Sequence, residues 1–138
     1  MSKFTYEDLL GQRTTLHTAI SEQRSQISTL ETKIKRLESS STTLKNNISS
    51  IQDTYQNLDV TIDESKWRGT EKNNFEEKHE TFRNEVKDFL TKTEDAQDRI
   101  DEEISRCETN IASLEANINH FERTLSNVNA QIEARRDE

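Results

Sequence analysis

Apolar side chains recur at alternating intervals of three and four residues along the first half of this chain. The series keeps its phase for more than fifty residues and runs through Leu9, Leu16, Ile20, Ile27, Leu30, Ile34, Leu37, Leu44, Ile48, Ile51, Tyr55, Leu58 and Ile62. Only Arg13, Gln23 and Ser41 occupy positions of the series without being apolar. Apolar residues repeated in this way keep one narrow stripe facing a partner helix. The pattern therefore predicts a coiled-coil seam along one long helix.

The start of this first helix is marked by two local signals. Thr5 and Asp8 have the spacing of a capping box, in which each side chain accepts a hydrogen bond from the other residue's backbone N–H. Phe4 and Leu9 stand at the two positions of a hydrophobic staple. We therefore expect the first helix to begin near Thr5.

The segment SSSTTLKNNISS, residues 39–50, has the composition of a linker because serine, threonine and asparagine are weak helix formers. However, Leu37, Leu44 and Ile48 stay in phase across it. A flexible loop would not preserve that phase. We therefore predict that the first helix continues through this segment.

A second apolar series follows in the other half of the chain. It runs through Phe75, Phe82, Val86, Phe89, Ala96, Ile100, Ile104, Cys107, Ile111, Leu114, Ile118, Phe121, Leu125, Val128 and Ile132. His79 and Thr93 fill two further positions. The steps from Ala96 to Ile100 and from Ile100 to Ile104 are both four residues, which predicts a stutter that locally unwinds the supercoil.

Two long helical stripes joined by a few residues fold back most simply as an antiparallel hairpin. Gly69 can adopt the left-handed conformation that ends a helix, and Thr70 can cap the next one, with Glu71 near the positive end of its dipole. A second capping-box match at Thr61 and Glu64 leaves open a short helical turn before the bend. We predict one all-α domain over residues 1–138, with helix one at about 5–64, an elbow at about 65–70 and helix two at about 71–135.

Composition supports this fold and limits the functions to consider. The 138 residues include no proline and two glycines, which argues against a many-turned β fold. With 29% hydrophobic and 33% charged residues, the chain cannot build a thick core, so we expect the hairpin to be marginal alone and to join a larger helical bundle. The net charge of −8 repels phosphate and disfavours nucleic-acid binding.

Candidate reactive groups do not assemble into a predicted active site. Cys107 is the only cysteine and falls on the seam, where it acts as a small hydrophobe. Glu76 and His79 have the spacing found in di-iron bundles, but such a site needs a second copy of the pair. The acidic segment at 94–103 lacks the glycine of a calcium loop. We expect no enzyme activity, no cofactor and no metal.

The only tryptophan lies at the predicted elbow, in SKWRGTEKNNF. Trp67 can plug the end of the hairpin by packing on Phe75 and Ile62, or it can face a partner. Trp67, Gly69 two residues later and Phe75 eight residues later, placed between two helices, resemble the helix-WxG-helix proteins of Gram-positive type VII secretion. The long arms and the central motif resemble the YwqH-like accessory proteins encoded beside LXG toxins.

This resemblance implies a set of partners. A YwqH-like protein would bind the helical N-terminal region of an LXG toxin, alongside a second small helical protein, and present it to the export machinery. In helix-WxG-helix substrates the turn and a tail motif Tyr-x-x-x-Asp, supplied by either partner, form the export signal. The match from Tyr55 to Asp59 precedes the elbow, and the tail NAQIEARRDE has none, so a partner would supply that signal.

The N-terminal stretch lacks the apolar core of a secretory signal, and no apolar run reaches membrane-spanning length. We expect cytoplasmic synthesis, and any export to follow type VII secretion without a cleaved signal peptide. The predicted interaction motif is Trp67, Gly69 and Phe75. The seam residues expected to carry binding surface are Leu30, Ile34, Leu37, Ile48, Ile51, Phe82, Ile100, Ile104, Ile111 and Leu114. A structural or tethering coiled coil that forms a homodimer is the alternative.

Overall fold

A computed structural model describes residues 4–57 and 69–136 of the chain. The described residues form two helices, α1 at Tyr6–Asn57 and α2 at Thr70–Arg136, and include no strand. The predicted all-α fold class, built from two long helices, is confirmed. The predicted end of helix one and most of the predicted elbow, including Trp67, lie outside the described residues.

The first turn of α1 is closed by the predicted capping box, which is confirmed. The Thr5 backbone N–H donates to Asp8 Oδ2 at 3.2 Å, and the Asp8 N–H donates to Thr5 Oγ1 at 3.1 Å. The Leu9 N–H donates to the Thr5 carbonyl at 3.0 Å, which makes Thr5 the cap residue before Tyr6. Backbone N–H groups that a helix leaves without an internal partner are satisfied in this way.

The serine-rich segment at 39–50 is helical throughout, as its phase predicts. Thr43 Oγ1 donates to the Ser39 carbonyl one turn earlier, at 3.1 Å. Thr54 makes the same bond to the Ser50 carbonyl, at 3.0 Å. These hydroxyls hydrogen-bond to backbone carbonyls inside the helix, so they do not stabilise a turn or another non-helical conformation there. The segment is therefore a polar part of α1 and not a linker.

The chain packs as two units, each made from one part of α1 and one part of α2. The terminal unit comprises Met1–Lys35 and Ile104–Glu138. Its core contains Leu9 packed with Val128 and Ile132, and further along α1 Arg24 forms an ion pair with Glu122 at 2.7 Å. As residue numbers rise along α1, those of the α2 partners fall. The two helices of this unit are therefore antiparallel.

The central unit comprises Arg36–Glu103. Ser41 Oγ donates to Asp101 Oδ1 at 3.1 Å, and the guanidinium carbon of Arg83 lies 5.1 Å from the centroid of the Tyr55 ring. Partner numbers again fall along α2 as they rise along α1. This unit is therefore also an antiparallel helix pair, as a hairpin requires.

The two units bury different kinds of side chain. Six apolar residues are buried among those described, and all six lie in the terminal unit: Leu9, Ile20, Cys107, Ile118, Val128 and Ile132. In the described part of the central unit, the buried residues are Ser41 and Thr93. The hydrophobic core of the described residues thus belongs to the terminal unit.

The seam of α2 follows a different phase from the apolar series between His79 and Ile104. Positions at strict intervals of four and three are all buried or half-buried: His79, Arg83, Val86, Leu90, Thr93, Gln97, Ile100 and Ile104; Ala96 and Glu103 are half-buried as well. Phe82 and Phe89 each stand one residue before a seam position and are exposed. Arg83, Leu90 and Gln97 continue the heptad phase, while Ala96, Ile100 and Ile104 are also half-buried, so the predicted stutter stays a prediction.

Candidate functional site

The predicted interaction motif of Trp67, Gly69 and Phe75 is called the elbow motif, and its described part begins at Gly69. Its φ is +82°, a left-handed conformation that glycine adopts without a Cβ penalty. The Asn73 N–H donates to the Gly69 carbonyl at 3.1 Å, and α2 begins at Thr70. Gly69 is therefore the cap residue of α2, and the assignment of that role to Thr70 is corrected. A left-handed cap needs glycine, which explains the choice of residue.

Phe75 lies in the second turn of α2 and is half-buried. Its ring stacks on the imidazole of His79, with centroids 5.6 Å apart and an interplanar angle of 23°. Lys72, in the first turn, forms an ion pair with Glu76 in the second at 3.8 Å. The two described residues of the motif, Gly69 and Phe75, are thus fixed by the start of one helix. Packing between Trp67 and Phe75 falls outside the described residues.

Tyr55 and Arg83 join the two helices one turn beyond His79. The Arg83 guanidinium lies over the Tyr55 ring, a geometry that favours attraction between the cation and the π face. Both side chains are half-buried on the seam. Tyr55 therefore contributes to packing between α1 and α2, and the remainder of its Tyr-x-x-x-Asp match, at Asp59, lies outside the described residues.

An exposed aromatic surface runs along one side of α2 in the central unit. Phe82 is 50% exposed and Phe89 is 60% exposed. Seven residues are almost two full helical turns, so the two rings lie on the same side of α2. We call this pair the phenylalanine flank. Single exposed apolar side chains are ordinary, whereas two neighbouring aromatic rings on one face form a patch.

An open groove lies beside the phenylalanine flank. It has a volume of about 310 Å³ and lies between α1 and α2, lined by Ser50, Ile51, Thr54, Glu85, Val86 and Phe89. A second depression on α2 is lined by Asn74, Glu77, Lys78, Thr81, Phe82 and Glu85. Glu85 borders both, which places the two depressions side by side. Ile51 and Val86 give the groove its apolar floor, and the short side chains on α1 leave it open.

The predicted seam residues occupy two kinds of position. Phe82 lies on the exposed flank, and Arg83 is half-buried on the seam beside it. The others are half-buried: Leu30, Ile34, Leu37, Ile48, Ile51, Ile100, Ile104, Ile111 and Leu114. Leu30 and Leu114 line one groove of the terminal unit. Their role as binding surface stays a prediction.

Sequence reasoning left Phe89 out of the predicted site and kept Arg83 and Leu90 off the seam. The signal that finds them is phase. Stepping back from Ile104 in strict strides of four and three reaches Leu90 and Arg83, provided that polar residues are accepted on the seam. The first helix already accepts a polar residue at Ser41. A prediction that follows the apolar residues alone, and not the heptad phase, places Phe82 and Phe89 on the seam and does not find the exposed flank.

Other candidate reactive groups do not come together in the part of the chain that the structure describes. Cys107 is 1% exposed and belongs to the core of the terminal unit. Over residues 4–57 and 69–136 no group of three His, Cys, Asp or Glu side chains could hold a metal ion. Neither α1 nor α2, as far as the structure describes them, combines the length and apolar character needed to cross a membrane.

These features define a helical-hairpin protein whose two long antiparallel helices carry an exposed aromatic surface. The chain belongs to the YwqH-like family, whose model matches residues 11–130. The matched range includes the elbow motif, the phenylalanine flank and nearly all of both helices. No curated protein and no solved structure matches the chain.

Proposed function

We propose that this protein is a non-catalytic accessory of type VII secretion that binds the helical N-terminal region of an LXG toxin. Membership in the YwqH-like family and the elbow motif with Trp67, Gly69 and Phe75 support this role. One structural observation carries the binding part of the proposal. The described central unit exposes Phe82 and Phe89 and buries no apolar side chain fully.

A partner helix would supply the burial that the central unit lacks. Fully burying a phenylalanine or leucine side chain contributes about 1.5 to 3 kcal/mol relative to leaving it exposed. Two helices cover their shared seam only in part, and a third helix would cover a flank. Binding to the folded state alone also raises the apparent stability of the protein. The hairpin is thus suited to hold another helical segment.

A binding role fits the shape of the surface better than catalysis does. The groove at Ile51 and Val86 is open and lined mainly by short or apolar side chains. Catalysis requires a concave site that excludes water around reactive groups.

The proposal is tested by co-expression with the helical N-terminal region of an LXG toxin. We expect the two chains to purify together and the melting temperature of the complex to exceed that of either chain. Replacing Trp67 and Gly69 together by alanine should abolish toxin export and weaken toxin binding. Gly11→Ala is the matched control because Gly11 is exposed in α1 and has no left-handed φ.

Three outcomes would contradict the proposal. The first is no association with the toxin region and no change in melting temperature. The second is a Trp67/Gly69 variant that loses stability but retains both toxin binding and export, since the elbow would then be only structural. The third is a homodimer in sedimentation experiments that the toxin region does not dissociate or join, which would favour a tethering coiled coil.

A further inference from the structure

We propose that the phenylalanine flank binds a basic amphipathic helix from a different chain. The inference rests on the proposed function and deepens it, because it assigns the surface on this protein and the chemistry of the segment that it receives. It uses the exposed rings, the adjoining groove and the charge of the central unit.

The spacing of the rings matches a helix laid alongside α2. Phe82 and Phe89 are seven residues apart, which is about 10.5 Å along a helix axis. A second helix presents its own residues at i and i+7 with the same repeat, so two of its apolar side chains can meet the two rings in one register. Large aromatic side chains at the centre of an interface contribute most of its binding energy.

The groove beside Phe89 offers a place for an apolar side chain of that helix. Its floor is formed by Ile51 and Val86, and Ser50 and Thr54 border it on α1. A volume of about 310 Å³ is at the lower end for small-molecule sites, but it can take one or two inserted side chains. The exposed ring of Phe89 would close over such a side chain and lose its contact with water.

Charge decides which kind of helix would bind. Residues 36–103 contain ten Lys and Arg against seventeen Asp and Glu, whereas the remainder contains nine against ten. Nearly all of the net charge of −8 therefore belongs to the central unit. Beside the rings, Glu77 and Glu85 border the second depression with a single lysine, Lys78. Complementary charge steers association and penalises partners of like charge.

The same charge argues against a second copy of this chain as the occupant. Two central units placed flank to flank would bring together two units that each carry an excess of acidic residues. A foreign helix with lysine or arginine beside its apolar stripe would gain attraction instead. The electrostatic part of binding should then fall as salt is raised.

The inference can be tested on the full chain without the toxin. The probe is a synthetic helix of about 18 residues, or five turns, with leucines at i, i+3, i+4 and i+7 and lysines beside them. Fluorescence anisotropy should show that Phe82→Ala with Phe89→Ala weakens binding at least about tenfold. Phe4→Ala is the matched control, because Phe4 is 54% exposed but lies in the terminal unit.

Two charge variants complete the test. The same peptide with glutamate in place of lysine should bind at least about tenfold more weakly, and Glu85→Lys should weaken binding of the lysine peptide. Equal binding of both peptides, or an undiminished affinity of the double phenylalanine variant, would overturn the inference. A dimer of the chain that the double variant abolishes would overturn it as well, by assigning the flank to a second copy. Circular dichroism checks that each variant remains helical.

The toxin region separates this inference from the proposed function. If the toxin region binds the wild type and the double phenylalanine variant equally, the proposed function stands and the assignment of the flank is wrong. If the lysine peptide binds through the flank but no toxin region binds, the flank assignment stands and the toxin assignment is wrong. Loss of toxin binding in the double variant, with Phe4→Ala unchanged, supports both.

Discussion

The terminal and central units are built from the same two helices, yet they stabilise those helices differently. In the terminal unit, aliphatic side chains such as Leu9, Val128 and Ile132 meet across the seam and are closed off from water. In the central unit, Ser41 donates to Asp101 across the seam, and Thr93 Oγ1 donates to the Phe89 carbonyl within α2 at 2.8 Å. The first unit relies on apolar burial, and the second places polar groups where burial is greatest.

This difference teaches how one hairpin can be stable and still carry a binding surface. Apolar burial in the terminal unit contributes stability from within the chain. A polar seam position contributes little net stability but fixes which residues face each other. The aromatic side chains of the central unit at Phe82 and Phe89 are left outside the seam. We infer that the central unit retains apolar surface for another chain.

The largest expected difference between the units comes from the same leucine truncation in each. Leu9→Ala should lower the free energy of unfolding by about 3 kcal/mol, because a fully buried side chain is removed and a cavity remains. Leu44→Ala, at a half-buried seam position, should cost about half as much. Urea unfolding of the two variants measures both values. Equal losses would mean that the two units are equally well packed.

An intermediate effect is expected at the two glycines, with opposite signs. Gly69→Ala should destabilise the protein by about 1 kcal/mol, because alanine is strained at a φ of +82° although no atom lies within 4 Å of its Cβ. Gly11→Ala should stabilise it by about 0.5 to 1 kcal/mol, since alanine is the better residue inside a helix. Thermal unfolding checks both. Stabilisation by Gly69→Ala would show that the left-handed cap is dispensable.

The smallest expected effects concern two arginines. Arg24 pairs with Glu122 in the terminal unit, but the side chains are 64% and 45% exposed, so Arg24→Ala should cost at most about 0.5 kcal/mol. Arg83→Ala in the central unit should cost about 1 kcal/mol, through lost packing and the contact with Tyr55. Urea unfolding at low and high salt compares them. Raised salt should diminish the Arg24 effect more, and a larger loss for Arg24 would contradict this ranking.

Several features of the fold follow from local sequence. The capping box needs only Thr5 and Asp8 three residues apart, because both partners lie within one helical turn. The helix across 39–50 follows from the unbroken phase of Leu37, Leu44 and Ile48. In both cases the interacting groups are close in sequence, so their contact can be predicted without the tertiary structure.

Other features could not be assigned in this way. The apolar series of the sequence places Phe82 on the seam. In the structure Arg83 is half-buried there instead, and its guanidinium lies over the ring of Tyr55 from the other helix. An arginine can take the place of an apolar residue when its methylene groups pack against neighbouring side chains and its guanidinium lies over an aromatic ring. Likewise, Gly69 and Thr70 are both acceptable cap residues, and the bond from Asn73 selects Gly69. Both the seam residue and the cap residue depend on the three-dimensional arrangement of the helices, which the amino-acid sequence alone leaves open.

The sequence by itself determined two long helices, the heptad seam of α1 and the seam of α2 from Ile104 onward, because helix periodicity and capping are local properties of the chain. The tertiary structure decided which side of α2 faces α1. It therefore decided that Leu90 is half-buried and that Phe82 and Phe89 are exposed. The physical reason is that a stripe broad enough to include both rings and seam cannot be covered by one partner helix. Packing selects the phase in which α1 covers the seam and leaves the aromatic flank in water.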